Sequence, residues 1–169
     1  MILKTERLTI RRIVADDWKM IKEIWVDFNT SALSQYDVPH DTDDEDVRAR
    51  VMRWETTNGS FEHIFLAVCL DDTVIGYIDA HKTEAGYEIG YCFHSAYHGK
   101  GYAYESTKAL VEYFVSECGA TRFTAGTAVD NIPSCRLLEK LGFTCVSTET
   151  VSFNNAFSFQ GGNYVLNVK

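Results

Sequence analysis

Residues 88–105 read Glu-Ile-Gly-Tyr-Cys-Phe-His-Ser-Ala-Tyr-His-Gly-Lys-Gly-Tyr-Ala-Tyr-Glu. The order is strand, glycine-rich turn, helix, and it leaves few folds open. A turn of this kind aims several backbone N–H groups at one point, at the positive end of the helix dipole, and makes a seat for a phosphate or pyrophosphate. A dinucleotide fingerprint needs Gly-x-Gly-x-x-Gly, but counting from Gly99 and Gly101 the third glycine position holds Tyr104. A Walker loop needs Gly-Lys followed by Ser or Thr, but Lys100 is followed by Gly101. Both nucleotide readings fail on residues.

The turn His98-Gly99-Lys100-Gly101-Tyr102-Ala103 resembles the acetyl-CoA loop of the GNAT N-acetyltransferases, Gln/Arg-x-x-Gly-x-Gly/Ala, with His in place of Gln or Arg. A second block, Asn131-Ile-Pro-Ser-Cys-Arg-Leu-Leu-Glu-Lys-Leu-Gly-Phe143, resembles the same family's Asn-x-x-Ser … Glu-Lys-x-Gly-Phe segment. Glu88-Ile-Gly-Tyr91 and the opening Leu3-Lys-Thr-Glu-Arg-Leu-Thr-Ile-Arg-Arg12 resemble the RimJ/RimL-type branch, which acetylates ribosomal-protein N-termini. The resemblance runs to Phe143 and fades over the last strand pair.

The chain of 169 residues is long enough for one domain with a real core, and residues 1–169 are expected to form a single N-acetyltransferase domain. No apolar run approaches a membrane span, and the first residues lack the apolar region of a signal peptide. Five cysteines, at 69, 92, 118, 135 and 145, form no Cys-x-x-Cys pair. Reduced thiols in a cytoplasmic protein are expected, with no disulfide framework and no metal. A net charge of −8 argues against a nucleic-acid surface. It suits a cationic acceptor, and it requires any contacts to polyanionic CoA to be local.

Apolar spacing predicts strands over 7–13, 63–70, 74–81, 87–93, 121–129, 143–152 and 163–168. Helices are predicted over 15–28, from the acidic run 41–46 through Trp54, over 101–118 and over 131–141. Gly119 and Gly142 stand where C-caps belong, and Pro133 sits in a first turn, where its missing N–H does no harm. Residues 29–40 read as a loop or short helical piece, and 154–162 as the connection within a terminal strand pair. The class is α/β (α+β). The resemblance implies the GNAT fold: a twisted, mostly antiparallel mixed sheet, helices on both faces, and splayed fourth and fifth strands holding the pantetheine arm.

By the same resemblance, backbone groups of Cys92 and Phe93 pair with the pantetheine amides, and one of their N–H groups meets the oxyanion. His98, Gly99, Lys100, Gly101, Tyr102, Ala103 and Tyr104 hold the pyrophosphate. The glycines allow close backbone approach. His98 and Lys100 either meet phosphate or are solvated, and the same two readings hold for Arg136 and Lys140 toward the 3′-phosphate. Asn131 caps its helix in any reading, and the family adds a contact to the cofactor arm. Many family members carry a proton-donating Tyr four residues after the fourth position of this block; here that position is Leu138. The resembled Asn-x-x-Ser branch offers the Ser hydroxyl instead, so Ser134 is the expected donor to the leaving thiolate, directly or through water, beside a role in cofactor binding; the alternative is an ordinary first-turn polar residue. Glu88 is the expected base, the alternative being a surface strand carboxylate or a binder of the incoming ammonium.

The expected reaction is direct acetyl transfer from acetyl-CoA to a primary amine. Cys92 is the one thiol placed to attempt an acyl-enzyme. The acceptor is a protein N-terminus or a small amine such as a polyamine or aminoglycoside, with no nucleic-acid or membrane partner. Residues 28–40, Trp54 and 154–162 are expected to shape its pocket, and Trp18 and Trp25 to pack in the interior. A homodimer is common in the resembled branch. The alternative from another class is a CoA-binding sensor or assembly module without catalysis.

Overall fold

The computed structural model describes residues 1–57, 61–153 and 157–169. Its order is β1 (Ile2–Lys4), β2 (Leu8–Arg12), α1 (Trp18–Thr30), α2 (Asp44–Thr57), β3 (His63–Leu70), β4 (Thr73–Thr83), β5 (Gly86–Phe93), α3 (Tyr102–Cys118), β6 (Arg122–Ala128), α4 (Ile132–Lys140), β7 (Thr144–Phe153) and β8 (Phe157–Asn167). Eight strands form one sheet in the order β1-β2-β3-β4-β5-β6-β8-β7. Every neighbouring pair is antiparallel except β5–β6, which is parallel.

Two apolar clusters show which helices cover which face. Ile64, Leu66, Ile78, Tyr87 and Ile89 pack against Leu110 and Phe114 of α3 and Leu138 of α4. Residues of the opposite strand parity, Ala67, Cys69 and Tyr77, pack against Ile21, Ile24 and Trp25 of α1 and Val47 and Val51 of α2. This is the alternation a sheet covered on both faces requires. Trp25 is 1% exposed and donates its indole N–H to Tyr77 Oη at 3.1 Å, in keeping with an interior role. Trp18 is half-buried under the Arg48 guanidinium, 4.1 Å from the ring centroid.

The central helices begin and end where their residue types dictate. Gly101, at φ +83°, is the N-cap of α3; Gly119, at φ +62°, ends it, with Ala120 N–H reaching back to Phe114 C=O at 3.0 Å. Asp44, Glu45 and Asp46 occupy the first turn of α2, where carboxylates complement the dipole.

Two strand expectations need correction. Ile2–Lys4 forms its own edge strand on β2, so the splayed pair is the fifth and sixth in this count. Three residues are too few for periodicity to show. The terminal pair is also longer than its sequence suggests. β8 begins at Phe157, inside the expected connection 154–162, of which 154–156 lie outside the described residues. Gly161 and Gly162 read as turn signals but stand buried in mid-strand, paired on both sides. A Cβ on Gly161 would come within 2.7 Å of Val151 Cγ2, so these glycines serve strand packing rather than a turn.

Candidate active site

The parallel β5–β6 ladder has only two rungs, Tyr87↔Phe123 and Glu88↔Thr124. β5 runs on to Phe93 and β6 to Ala128 without pairing to each other, so the strands open into a V whose apex is Glu88. Beyond that apex the facing backbone groups of both strands have no ladder partner, and a ligand with amide groups can pair with them. Cys92 and Phe93 stand at the wide end.

The chain then passes through a single 3-10 turn, Ser95–Tyr97, into residues 98–103. Gly99 and Gly101 are both left-handed, at φ +71° and +83°. A Cβ on Gly99 would meet nothing within 4 Å, so open space faces the turn. Gly101 offers no side chain to cap α3, and the N–H groups of Tyr102, Ala103 and Tyr104 belong to an uncapped helix end. The turn thus has room, donors and the positive end of a dipole.

Its charged surroundings come from distant parts of the chain. Arg7 bonds Glu105 through Nε at 2.7 Å and Nη2 at 2.6 Å, donates from Nη1 to Lys100 C=O at 2.9 Å, and lies 4.6 Å from the Tyr102 ring centroid. Thr5 Oγ1 also donates to Glu105, at 2.5 Å. Burial works to raise the Glu105 carboxyl, but the bonds from Thr5 and Arg7 outweigh it and hold it below its ordinary value. Arg7 was visible only as part of the opening strand; its place beside the turn is a tertiary fact. Lys140 reaches from the end of α4 to 4.2 Å from the Tyr104 ring centroid, which brings together two expected cofactor contacts. Arg136 is exposed on the same helix. With Arg7 paired to Glu105, Lys140 and Arg136 are what make this side of a chain of net charge −8 locally basic.

His98 and Lys100 take positions that the sequence did not suggest. A carbonyl only accepts, so His98 Nε2–H donates to Phe93 C=O at 2.8 Å and braces the strand end against the turn. Lys100 folds back to donate to Ala96 C=O at 2.9 Å.

Across the V, Asn131 caps α4 by accepting from Ser134 N–H at 3.4 Å. Ser134 Oγ meets Tyr91 Oη at 2.7 Å, joining α4 to β5. Burial pushes the Tyr91 phenol up to about 12, so it keeps its proton at neutral pH. Leu138, at the family's Tyr position, is fully buried in the core. The aromatic hydroxyl comes instead from the opposite wall of the V. The residue spacing 91 to 134 carries no sign of this; only the path of α4 over β5 creates it.

The other face of the sheet carries a different chemistry. Cys92 projects toward α1 and α2, and burial pushes its thiol up to about 12, with Asp37, Asp27 and Asp79 adding to the rise. A thiol so placed is a poor nucleophile at neutral pH. The 28–40 segment is closed by Asn29, whose amide bonds the backbone of His40 in both directions at 2.8 and 2.9 Å. The His40 ring stacks on Trp25 at 4.9 Å, and desolvation lowers its pKa. Trp54 stacks on Phe65 at 4.3 Å, and Tyr36 meets Phe159 of β8 edge-on at 6.0 Å. The structure therefore gathers Trp54, the 28–40 segment and β8 along this face.

Asp27 fixes the segment to the cofactor turn by accepting from Ser95 N–H and Oγ–H, both at 2.7 Å. Burial raises its carboxyl, but the two Ser95 bonds prevail and the net shift is downward. Among the described residues, no helix is long and apolar enough to cross a membrane. All five cysteines are free.

Known proteins share this architecture. The computed structure superposes on an acetyltransferase (GNAT family) from Bacillus anthracis with a TM-score of 0.83, covering 99% of this chain and 98% of that one at 27% identity. It superposes on RimL, a ribosomal L7/L12 alpha-N-protein acetyltransferase in complex with coenzyme A, with a TM-score of 0.89, covering 99% and 98% at 18% identity. In sequence, the chain is 33% identical over 144 residues to the uncharacterized N-acetyltransferase YnaD of Bacillus subtilis (strain 168), covering 84% of this chain and 82% of that protein. Residues 7–144 match the acetyltransferase (GNAT) domain. Strand opening, uncapped glycine turn and sequence kinship agree, and the chain is a member of the GNAT acetyltransferase family.

Proposed function

We propose that this acetyltransferase moves the acetyl group of acetyl-CoA directly to a primary amine, with the α-amine of a protein N-terminus as the preferred acceptor. The observation that carries the reading is the V between β5 and β6, with a phosphate-seating turn at its wide end and Glu88 at its apex. The residues fit acetyl-CoA: a glycine turn with open space before it, an uncapped helix end, and Lys140 beside it. The name of the CoA-bound RimL neighbour, an alpha-N-protein acetyltransferase, supports both the donor and the acceptor class. The carboxylates of Asp27, Asp37 and Asp79 around Cys92 favour an acceptor that arrives as a cation.

When bound, acetyl-CoA supplies an activated acyl group and a thiolate leaving group. The chain does the rest. Residues 98–104, with Lys140 and Arg136, hold the phosphates, and the unpaired edge of β5 at Cys92 and Phe93 aligns the arm. Glu88, exposed at the apex, accepts a proton from the acceptor ammonium. Ser134 Oγ relays a proton to the departing sulfur, giving up its own hydrogen and taking back the second hydrogen that the acceptor nitrogen loses. Tyr91 holds its own proton and donates to Ser134 Oγ, which leaves the Ser134 O–H free to point elsewhere. The buried, high-pKa Cys92 favours direct transfer over an acyl-enzyme.

The test is release of CoA thiol from acetyl-CoA against Ala- and Ser-starting peptides, polyamines, aminoglycosides and free amino acids. Turnover with the peptides and not with the small amines is the expected result. Turnover with a small amine alone would replace the acceptor. Tight acetyl-CoA binding with no turnover on any of them would remove Glu88 and Ser134 from their assigned roles.

A further inference from the structure

A row of side chains crosses the sheet on the α1/α2 face and ends at the apex of the V. His63 of β3 stands opposite His81 of β4, and His81 opposite Glu88 of β5; Glu88 closes the row as the last rung to β6. Cross-strand partners place their side chains on one face, about 5 Å apart at Cβ. His81 Nε2 lies 3.1 Å from Asp79 Oδ1, and His81 Nδ1 lies 3.0 Å from His63 Nδ1. Asp79 lies over β5, because Gly90 opposite it has no side chain: a Cβ there would stand 2.7 Å from both Asp79 oxygens. The Phe65 ring packs edge-on against His81 at 5.2 Å.

The hydrogen bonds fix where protons sit. An ionised Asp79 can only accept, so His81 carries its hydrogen on Nε2. Neutral His81 then has a lone pair on Nδ1 and accepts from His63 Nδ1–H. That leaves His63 Nε2, on an exposed residue, as the free basic nitrogen. A proton added there lets the Nδ1 hydrogen of His63 shift onto His81 Nδ1. The positive charge then rests on His81, between Asp79 and Glu88, while its port stays at the surface.

We propose that Asp79, His81 and His63 form the proton outlet of the transfer, taking up the proton that Glu88 removes from the acceptor and releasing it to solvent at His63 Nε2. The inference rests on the acetyl-transfer reading above. The balance closes as follows: the acceptor R–NH3⁺ loses two N–H protons as N–C forms and C–S breaks. One goes to the sulfur from the Ser134 side, and the other leaves through the imidazole pair, the net proton of the reaction. Glu88 and His63 are both exposed and flank His81, which leaves His63 Nε2 open through solvent to the proton from Glu88; His81 and Asp79 then hold the charge until His63 Nε2 returns it to bulk. Between reference side chains, a carboxylic acid yields its proton to an imidazole downhill, by about two pK units. The charged and titratable groups facing His81 are Asp79 on its own strand, Glu88 from β5 and His63 from β3. The hydrogen bond to Asp79, with the charges of Asp79 and Glu88, raises His81 above its ordinary value. Asp79 and His81 are positioning and relay groups; Glu88 alone meets the acceptor.

Two readouts test this. The first needs no substrate: a pH titration of the ¹⁵N-labelled protein by imidazole NMR. At high pH, His81 should show the Nε2–H tautomer and His63 the Nδ1–H tautomer, and the two should titrate as a coupled pair. Asp79→Asn should lower the His81 midpoint. Opposite tautomers or independent titrations overturn the chain. The second is kcat/KM against pH with acetyl-CoA and a Ser-starting peptide. His81→Gln should lose about tenfold at pH 7, less than the roughly 10²–10⁴-fold of a group that itself moves the reacting proton, and the loss should shrink as pH rises to 9 and hydroxide takes over. Asp79→Asn should move the acidic limb to lower pH, because a His81 stripped of its carboxylate stays neutral further down. This variant also serves if His81→Gln does not fold. A loss equal at all pH values, with an unmoved limb, overturns this inference alone. A wild-type protein that turns over no acceptor overturns the acetyl-transfer reading and the outlet with it.

Discussion

The two faces of the sheet solve different problems with different kinds of sequence. On the α3/α4 side the site is local. One run of residues from Glu88 to Glu105 makes strand, turn and helix end, and one block from Asn131 to Phe143 makes the facing helix. Its chemistry is largely backbone: left-handed glycines, uncapped N–H groups and unpaired strand edges. On the α1/α2 side the site is assembled. Asp27, Asp37, His40, His63, Asp79 and His81 come from α1, the following segment, β3 and β4, and their chemistry is all side chain. A face that binds the one donor common to a family can be written as a short motif. On the proposed reading, the face that meets the acceptor is free to draw on the whole chain.

If this division holds, changes on the two faces separate in what they disturb. The largest effect belongs to the V itself. Ser134→Ala should lower kcat about a hundredfold, the low end for loss of a positioned proton-transfer group, with acetyl-CoA affinity nearly unchanged by calorimetry. An unchanged kcat removes Ser134 from the chemistry. Next comes Gly101→Val. It forces a β-branched residue to φ +83° and sets a Cβ 3.3 Å from Arg7 Nη2. Strain of about 1–3 kcal/mol should weaken acetyl-CoA binding by about tenfold or more, with a smaller effect on the acceptor KM. A reversed pattern would break the comparison.

Asp37→Asn tests the other face. It should raise the KM for a cationic acceptor severalfold, as expected for loss of one carboxylate near a surface, and leave acetyl-CoA affinity alone. If both constants move together, the faces are not independent.

The smallest effect concerns the clamp between the opening strands and α3. Glu105 has a depressed folded value, so its contribution to stability is present above the unfolded carboxyl pKa and is lost as pH falls through the folded one. Arg7 is 42% exposed, so solvent screens the pair and the contribution is about 1 kcal/mol or less. Thermal unfolding of Glu105→Gln should match the wild type below about pH 3 and fall slightly behind it above about pH 5, around the reference carboxyl range. A gap that persists at low pH would mean the Thr5 and Arg7 bonds are not what Glu105 contributes.

Within the sheet, legibility followed length and periodicity. β3 was readable to the residue and α3 to within one, because each carries a long, regular apolar repeat between clear stop signals. β1 and the first half of β8 were not. A three-residue edge strand has no period, and Gly161 and Gly162 signal a turn unless a neighbouring strand is known to press against them. In the site, the glycine turn and the Asn131 cap were legible because their function is local backbone geometry. Asp79 and His81, two apart in a predicted strand, carried a faint signal: residues at that spacing share a face. Nothing in the sequence said that His63 would face them.

By itself, then, the sequence determined the order of the longer elements, the glycine turn, the family, and the pairing of Asn131 and Ser134 at one helix start. The tertiary structure alone decided that Tyr91 completes Ser134 across the V, that Arg7 and Lys140 converge on the turn, that His98 braces Phe93, and that a carboxylate and two imidazoles line up beside Glu88. The reason is range. Backbone conformation is set within a few residues, whereas a hydrogen bond between side chains 18, 43 or 98 positions apart exists only once strand register and helix packing have brought them to about 3 Å.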